Sequence, residues 1–466
     1  MRTKPTHSLH LLALSASLLA GCSVTPTYHT PITPQPAAFK EAQGWAPAAP
    51  ADALERGQWW TLFNDPVLTG LVESVDVSNQ NVAASIAAYD QARALVQQQR
   101  ASLFPSVTLN TGANRSGGGA AGDGNRYNLN IGGSWEPDVW GRLRANVSAA
   151  QASAQASQAD LASARLSAQG ELAADYFSLR SSDATLALLN TTIDGYQRAL
   201  QITQNRYKAG IAAHSDVLQA QTQLANAQAD QQTVVRQRAQ LEHAIAVLVG
   251  KAPAEFSIAP TPAWQVVVPE VPVGVPSTLL QRRPDIASAE RRVAAANAQI
   301  GVARAAYFPN IGLTASYGTA STSSVADLFK ASNAVWSFGL SAAETLFNAG
   351  ATGAAVSGAE AAQRQAAARY RQTVLSAFQD VEDQLAASRV LASQQDLRRQ
   401  ASEAADQVEQ QLVNRYKAGQ VSYSDVITAQ VTALSARRSL VQVQADRQSA
   451  AVSLIQALGG GWHVPQ

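Results

Sequence analysis

The side chains best suited to chemistry are scattered, and their spacing argues against catalysis. Asp380, Glu382 and Asp383 form a carboxylate cluster of the kind used for general acid–base work. They fall on a long proline-free stretch and read as a solvated or lumen-facing patch. The histidines His7, His10, His29, His214, His243 and His463 lack the pairing of a zinc site, so no metal is expected. Gly117 to Gly119 does not match a dinucleotide fingerprint and suits a hairpin loop. Neither a phosphate loop nor a nucleophile elbow occurs, so the expectation is a protein that is not an enzyme and has no cofactor. The remaining candidates are Cys22, the acid Asp425 beside Ser424 and Thr428, and the cationic pairs Arg206/Lys208 and Arg415/Lys417. Asp425 suits the N-terminal turn of a helix, as Asp216 does.

Cys22 is the only cysteine, which excludes an intrachain disulfide framework. It ends a targeting pattern: Arg2 and Lys4, an apolar run from Leu9 to Ala20, then Leu19-Ala20-Gly21-Cys22. The pattern resembles a bacterial lipobox. Residues 1–21 are therefore expected to be a signal peptide and Cys22 a lipidated N-terminus, a covalent lipid being the one modification foreseen. Ser23 in place of Asp points to the outer rather than the inner membrane.

The net charge is +1 and 15% of residues are charged, which excludes nucleic acid as the main partner. The 46% apolar content is rich in Ala, and Ala with abundant Gln and Ser indicates long, closely packed helices.

The elements that must position the candidates are duplicated. Asn205-Arg206-Tyr207-Lys208-Ala209-Gly210 recurs as Asn414-Arg415-Tyr416-Lys417-Ala418-Gly419, Ser215-Asp216-Val217 as Ser424-Asp425-Val426, and Phe104-Pro105 as Phe308-Pro309. The chain is two copies of one unit of roughly 200 residues. Each copy opens with a helix carrying a seven-residue stripe: Val75, Val82, Tyr89, Val96 and Leu103, then Ile286, Val293, Ile300 and Tyr307. Phe-Pro ends it. Alternating residues follow, Val107/Leu109 and Tyr127/Leu129/Ile131/Trp135 in the first copy. Ile311/Leu313/Tyr317 and Trp336/Phe338/Leu340 match them in the second. They predict strand pairs over 105–136 and 309–345, long enough to cross a membrane. A helix of about 65 residues and ~100 Å comes next, from Arg142 to Tyr207 and again from Ala354 to Tyr416. Gly210 and Gly419 read as its left-handed caps. A return helix starts near Ser215 or Ser424.

This divides the chain into a lipidated extended segment 22–65, repeat 1 over 66–250, a Pro-rich linker 251–284, repeat 2 over 285–458 and a tail 459–466. Four strands cannot close a barrel, and an open sheet edge cannot sit in lipid. Two chains give eight strands and a filled bore, whereas three give twelve and a lumen. The plan is thus that of a duct from the outer membrane into the periplasm.

The chain resembles outer-membrane efflux proteins of the TolC type, in the NodT/OprM lipoprotein branch. The motifs that carry this are the lipobox, Trp59-Trp60-Thr61-Leu62-Phe63-Asn64-Asp65-Pro66, Arg282-Arg283-Pro284-Asp285-Ile286, Gly301-Val302-Ala303-Arg304-Ala305-Ala306-Tyr307-Phe308-Pro309 and the duplicated Arg-Tyr-Lys-Ala-Gly. The resemblance implies an α+β membrane protein. Its homotrimer has a twelve-stranded β-barrel, a twelve-helix α-barrel and an equatorial belt from the termini and linker. It implies a periplasmic adaptor and an inner-membrane transporter of the RND or MFS type as partners, with small molecules as cargo. Adaptor contact falls on the tips, Tyr207 to Ser215 and Tyr416 to Ser424. Arg206, Tyr207, Lys208 and Gly210 with Arg415, Tyr416, Lys417 and Gly419 then form a tip latch. The resemblance also implies a tip pore narrowed by acids just after the second hairpin: OprM-like relatives carry an Asp at the place of Thr428 and TolC one at the place of Asp425 as well, whereas this sequence keeps only Asp425, beside Ser424. Three copies of Asp425 around a closed pore would repel one another and attract a cation, the basis of a gate here. An exit duct for type I protein secretion and a structural coiled-coil lipoprotein are the alternative readings.

Overall fold

Period-two and period-seven stretches alternate along the chain, and each folds as its period dictates. The computed structural model describes residues 24–34, 36–42, 58–118, 124–269, 271 and 282–461. The segment 1–21 expected to be a signal peptide, the expected lipid site Cys22 and most of the tail 459–466 lie outside them. Repeat 1 contains helices α1 (Pro66–Ser78) and α2 (Gln80–Ala101), strands β1 (Ser106–Ser116) and β2 (Gly124–Trp135), and helices α3 (Arg142–Lys208) and α4 (His214–Leu248). Repeat 2 contains α5 (Pro284–Ala305), β3 (Asn310–Ser321), β4 (Ala334–Ala343), α6 (Ala351–Lys417) and α7 (Tyr423–Ala457). Helices α3 and α6 each have 67 residues. The first stripe of repeat 1 is one helix by periodicity but two in the structure. Asn79 turns extended between α1 and α2, caps α2 through the Asn81 and Val82 amides, and donates to the Leu248 carbonyl.

Backbone contacts divide the chain into two units. One comprises residues up to Ile32, 87–158 and 288–372; the other comprises 33–86, 159–287 and 373–466. The first holds the sheet, antiparallel in the order β1-β2-β3-β4. Its register aligns Leu109, Ile131, Tyr317 and Trp336 in one cross-strand row. Val107, Leu129, Leu313, Phe338 and Leu340 share that face by the two-residue alternation. The opposite face carries Thr108, Asn110, Asn128, Asn130, Ser316 and Ser337. Large apolar side chains on the first face are exposed: Leu109 is 65% exposed, Phe338 69% and Trp336 77%. Strands β1 and β4 are edges, with no partner beyond them among the described residues. The N-terminal strap also packs in this unit: Asn297 donates to the Pro26 carbonyl, and a Cβ on Gly301 would lie 2.1 Å from Thr25 Oγ1.

The second unit explains the tryptophan motif. Trp59 to Phe63 form a 3-10 turn whose Trp59, Trp60 and Phe63 are buried, Phe63 lying 4.9 Å from Phe177 between ring centroids. Burial of each such ring is worth about 2–3 kcal/mol. Asn64 adopts φ +52 to turn the chain, and Asp65 then caps α1 through the Val67 and Leu68 amides. The other Asp65 oxygen accepts from Tyr176 at 2.6 Å. A buried charge cluster holds the linker: Asp183 pairs with Arg180 at 3.0 Å and Arg238 at 2.6 Å, and it accepts the Thr261 amide. The two arginines donate to the Ala259 and Ile258 carbonyls. In the Arg282–Ile286 motif, Arg283 ties Asp285 and Asp380 to the Ala457 carbonyl at the end of α7.

Candidate functional site

Two members of the carboxylate cluster make structural ties, while Asp383 is exposed. Asp380 belongs to the Arg283 tie, and Glu382 accepts the main-chain amides of Lys40 and Glu41, docking the N-terminal segment. No group of three or more His, Cys, Asp or Glu side chains that could hold a metal occurs among the described residues.

Apart from Cys22, which lies outside the described residues, the remaining candidates lie on two helical hairpins, α3–α4 and α6–α7. Both turns use one device. Gly210 has φ +72 and Gly419 φ +75, a conformation that favours glycine. Ile211 and Gln420 return their amides to the carbonyls of Arg206 and Arg415, each at 2.9 Å, closing the helix ends as Schellman motifs. The return helices start differently. Ser422 caps α7 in a capping box with Asp425, whose carboxylate accepts from the Ser422 amide at 3.1 Å and hydroxyl at 2.7 Å. At α4 the cap position is Ala213 with no side-chain bond, so Asp216 stands in the first turn without a reciprocal partner. Ser424 shares its hydroxyl with Ser422 at 2.7 Å, and Thr428 donates back to the Ser424 carbonyl at 3.0 Å.

The duplicated Arg-Tyr-Lys triplets occupy unlike environments. Arg206 donates to the Tyr416 carbonyl at 3.0 Å and lies over the Tyr416 ring at 4.8 Å. Tyr416 is 7% exposed and packs on Tyr423 at 5.2 Å. Tyr207 is 46% exposed and meets His214 at 5.2 Å. Arg415, Lys208 and Lys417 are exposed. The junction between the hairpins therefore brings Arg206 and Tyr416 together, while Arg415 and Tyr207 stay apart from it. Burial pushes the Tyr423 phenol up to about 12, Tyr416 adding to the effect; Tyr423 also meets the Thr203 hydroxyl and feels the Asp216 charge.

Sequence reasoning missed Tyr423, Thr203 and Arg437, which bonds Asp406 at 2.7 Å and Glu409 at 2.8 Å. A comparison of the two repeats position by position signals Tyr423 and Thr203, because the duplicate carries His214 and Leu412 there. Two recesses flank the junction. One of about 480 Å³ lies between α3 and α6–α7, where the Tyr416 hydroxyl and the Gln430 carbonyl oxygen are buried without hydrogen-bond partners. The other, about 360 Å³, opens between α6 and α7 and is lined by Ala405, Val408, Leu412, Asp425, Thr428 and Ala429.

A family profile described as outer membrane efflux protein matches residues 71–251 and 275–460. The chain is 33% identical, over 470 residues, to the toluene efflux pump outer membrane protein TtgC of Pseudomonas putida, covering 98% of this chain and 96% of that one. It is likewise 33% identical over 470 residues to the antibiotic efflux pump outer membrane protein ArpC of Pseudomonas putida, with 98% and 96% covered. Among solved structures, the outer-membrane channel OprN superposes with a TM-score of 0.86 at 30% identity, covering 95% of this chain and 100% of that one.

Proposed function

The chain belongs to the outer membrane efflux protein family and is an outer-membrane exit channel of a tripartite efflux pump, and from that premise we propose that three copies build the channel. The observation that carries this reading is the sheet. It has an apolar exposed face, a face of Asn, Ser, Thr and Gly, and two open edges. Open edges in lipid leave backbone groups unpaired at several kcal/mol each, so β1 of one copy must meet β4 of another. Twelve strands close with the apolar face toward lipid and the polar face toward a water-filled lumen.

In this reading Cys22 carries the lipid that anchors the mature chain in the outer membrane. The strap over Gly301 supports it, holding Thr25 against α5 a few residues from Cys22. The hairpin turns face a periplasmic adaptor, which links them to an inner-membrane transporter of the RND or MFS type. The Arg206–Tyr416 junction holds the hairpins together as a latch, and Asp425, with Ser424 and Thr428 beside it, lines the constriction. The cargo is small apolar molecules, drugs among them; relatives described as toluene and antibiotic efflux proteins support that class. Deletion of the gene tests it. Susceptibility to hydrophobic antibiotics and solvents should rise several-fold and return on complementation. Unchanged susceptibility with loss of a secreted protein would overturn it in favour of the protein-secretion duct.

A further inference from the structure

The packing of α3 on α6–α7 leaves two polar atoms without partners. The Tyr416 hydroxyl and the Gln430 side-chain carbonyl oxygen are buried and make no hydrogen bond. Tyr416 is 7% exposed and Gln430 6%, and both line the recess of about 480 Å³. Their counterparts in repeat 1, Tyr207 and Gln221, are exposed, so water can reach them. Repeat 2 has taken the same two side chains out of water, which costs the fold their desolvation unless something in the recess bonds them. The carbonyl oxygen needs a donor, and the phenol can either donate or accept. A hydroxyl group can serve both, because it donates one bond and accepts others.

The rest of the lining sets the body of the molecule. Ala199, Ile202, Val413 and Val426 give apolar wall, and Tyr196, Tyr416 and Tyr423 give three rings. A flat aromatic body suits such a lining. Gly195 of α3 leaves room for it, since a Cβ there would meet nothing within 4 Å. Burial, with the Glu409 charge adding to it, pushes the Tyr196 phenol up to about 12, so that ring is a neutral wall.

Charge sets the other end. Asp406 and Glu409 line the recess, but Arg437 holds both, at 2.7 Å and 2.8 Å. Arg198 and Lys417 also line it and are exposed. Three cations therefore face two acids, and the surplus favours an anion at the open edge. The clamp is not a by-product of the duplication, because repeat 1 carries Gln197, Leu200 and Gln228 at the places of Asp406, Glu409 and Arg437.

We propose that this recess is a binding site for a small hydroxylated aromatic acid. Its hydroxyl bonds the Tyr416 hydroxyl and the Gln430 carbonyl oxygen, its ring lies among the tyrosines, and its carboxylate turns to Arg198 and Lys417. One chain builds the whole site, so it goes beyond the channel reading and does not rest on the trimer. The two polar atoms are buried only while α3 packs on α6–α7, and a ligand that satisfies them stabilises that packing.

4-Hydroxyphenylacetate and phenylacetate differ by one hydroxyl, and both are water-soluble anions. Saturation-transfer NMR on the full-length protein in neutral detergent gives their dissociation constants, with protein-free micelles as blank and oligomeric mass measured in parallel. 4-Hydroxyphenylacetate is expected to bind about tenfold more tightly than phenylacetate. Gln430→Leu keeps the volume and Tyr416→Phe keeps the ring, and each should lose most of that advantage. Arg198→Gln, on the exposed edge, should weaken both acids alike. No saturable binding of 4-hydroxyphenylacetate, or equal affinity for the two acids, would overturn the site and leave the recess to water. Parent-like affinity in both Gln430→Leu and Tyr416→Phe would overturn it too, by placing the probe elsewhere. A monomer that binds with the expected preference would sustain the site while removing the trimer.

Discussion

Replacement of Arg206 by Ala removes one charged hydrogen bond, 3.0 Å to the Tyr416 carbonyl, and one guanidinium–ring contact at 4.8 Å. A hydrogen bond from a charged donor is worth about 1.5–3 kcal/mol and the cation–π contact about 0.5–2 kcal/mol. Arg206 is only half-buried, so the lower part of the combined range applies, about 2–3 kcal/mol per junction. At tenfold per ~1.4 kcal/mol, the balance between joined and parted hairpins shifts roughly 30- to 150-fold toward parted. The assay is single-channel recording in planar bilayers, scoring the fraction of time spent at high conductance. That fraction should rise steeply in Arg206→Ala. Tyr416→Phe is the matched control: it keeps the carbonyl and the ring and loses a hydroxyl that is buried without a partner, so its traces should match the parent. A correctly assembled Arg206→Ala channel that gates like the parent would refute the latch.

Three further outcomes follow from the same structure. Asp183→Ala leaves Arg180 and Arg238 nearly buried without their shared acid and should cost about 3–5 kcal/mol; limited proteolysis should then cut near Ile258 to Thr261. Burial, with the Glu171 charge adding to it, pushes the Asp175 carboxyl up from 3.8 to about 6. The folded chain binds that proton more tightly than the unfolded chain. Its stabilisation is therefore complete below the unfolded value and is lost as pH rises through the folded one. Asp175→Asn should remove that slope and raise thermal stability at about pH 8, a gain that unfolding scans across the range would detect. Asp425→Ala breaks the capping box, at about 1 kcal/mol to the start of α7. It should also raise conductance and admit large antibiotics to the cell. If both stay unchanged, Asp425 is a helix cap and nothing more.

Much of the fold was legible because it is written in periodicity. The two-residue alternation from Val107 to Leu340 placed all four strands and the face each side chain takes. The absence of proline after Pro137 and Pro309 set the two longest helices to within a few residues. The break at Asn79 was hidden, because the seven-residue stripe from Val75 to Leu103 continues across it in register. Only the side-chain caps and the bond to the Leu248 carbonyl reveal it. The tip residues were legible as a repeat but not as a junction. Identical Arg-Tyr-Lys triplets predict identical surroundings, and it is the unlike neighbours, Tyr423 against His214 and Ser422 against Ala213, that make one junction internal. Asp380 and Asp383 are exposed, as a solvated patch requires; the ties of Asp380 to Arg283 and of Glu382 to the amides of Lys40 and Glu41 were hidden because those partners are remote in sequence.

Conductance of the purified, full-length protein in planar bilayers, recorded on material whose oligomeric mass has been determined, tests the trimeric channel most directly. A trimer should insert as discrete, long-lived channels, mostly closed in the parent and frequently open in Arg206→Ala. A monomer, or a trimer silent in both forms, would contradict it.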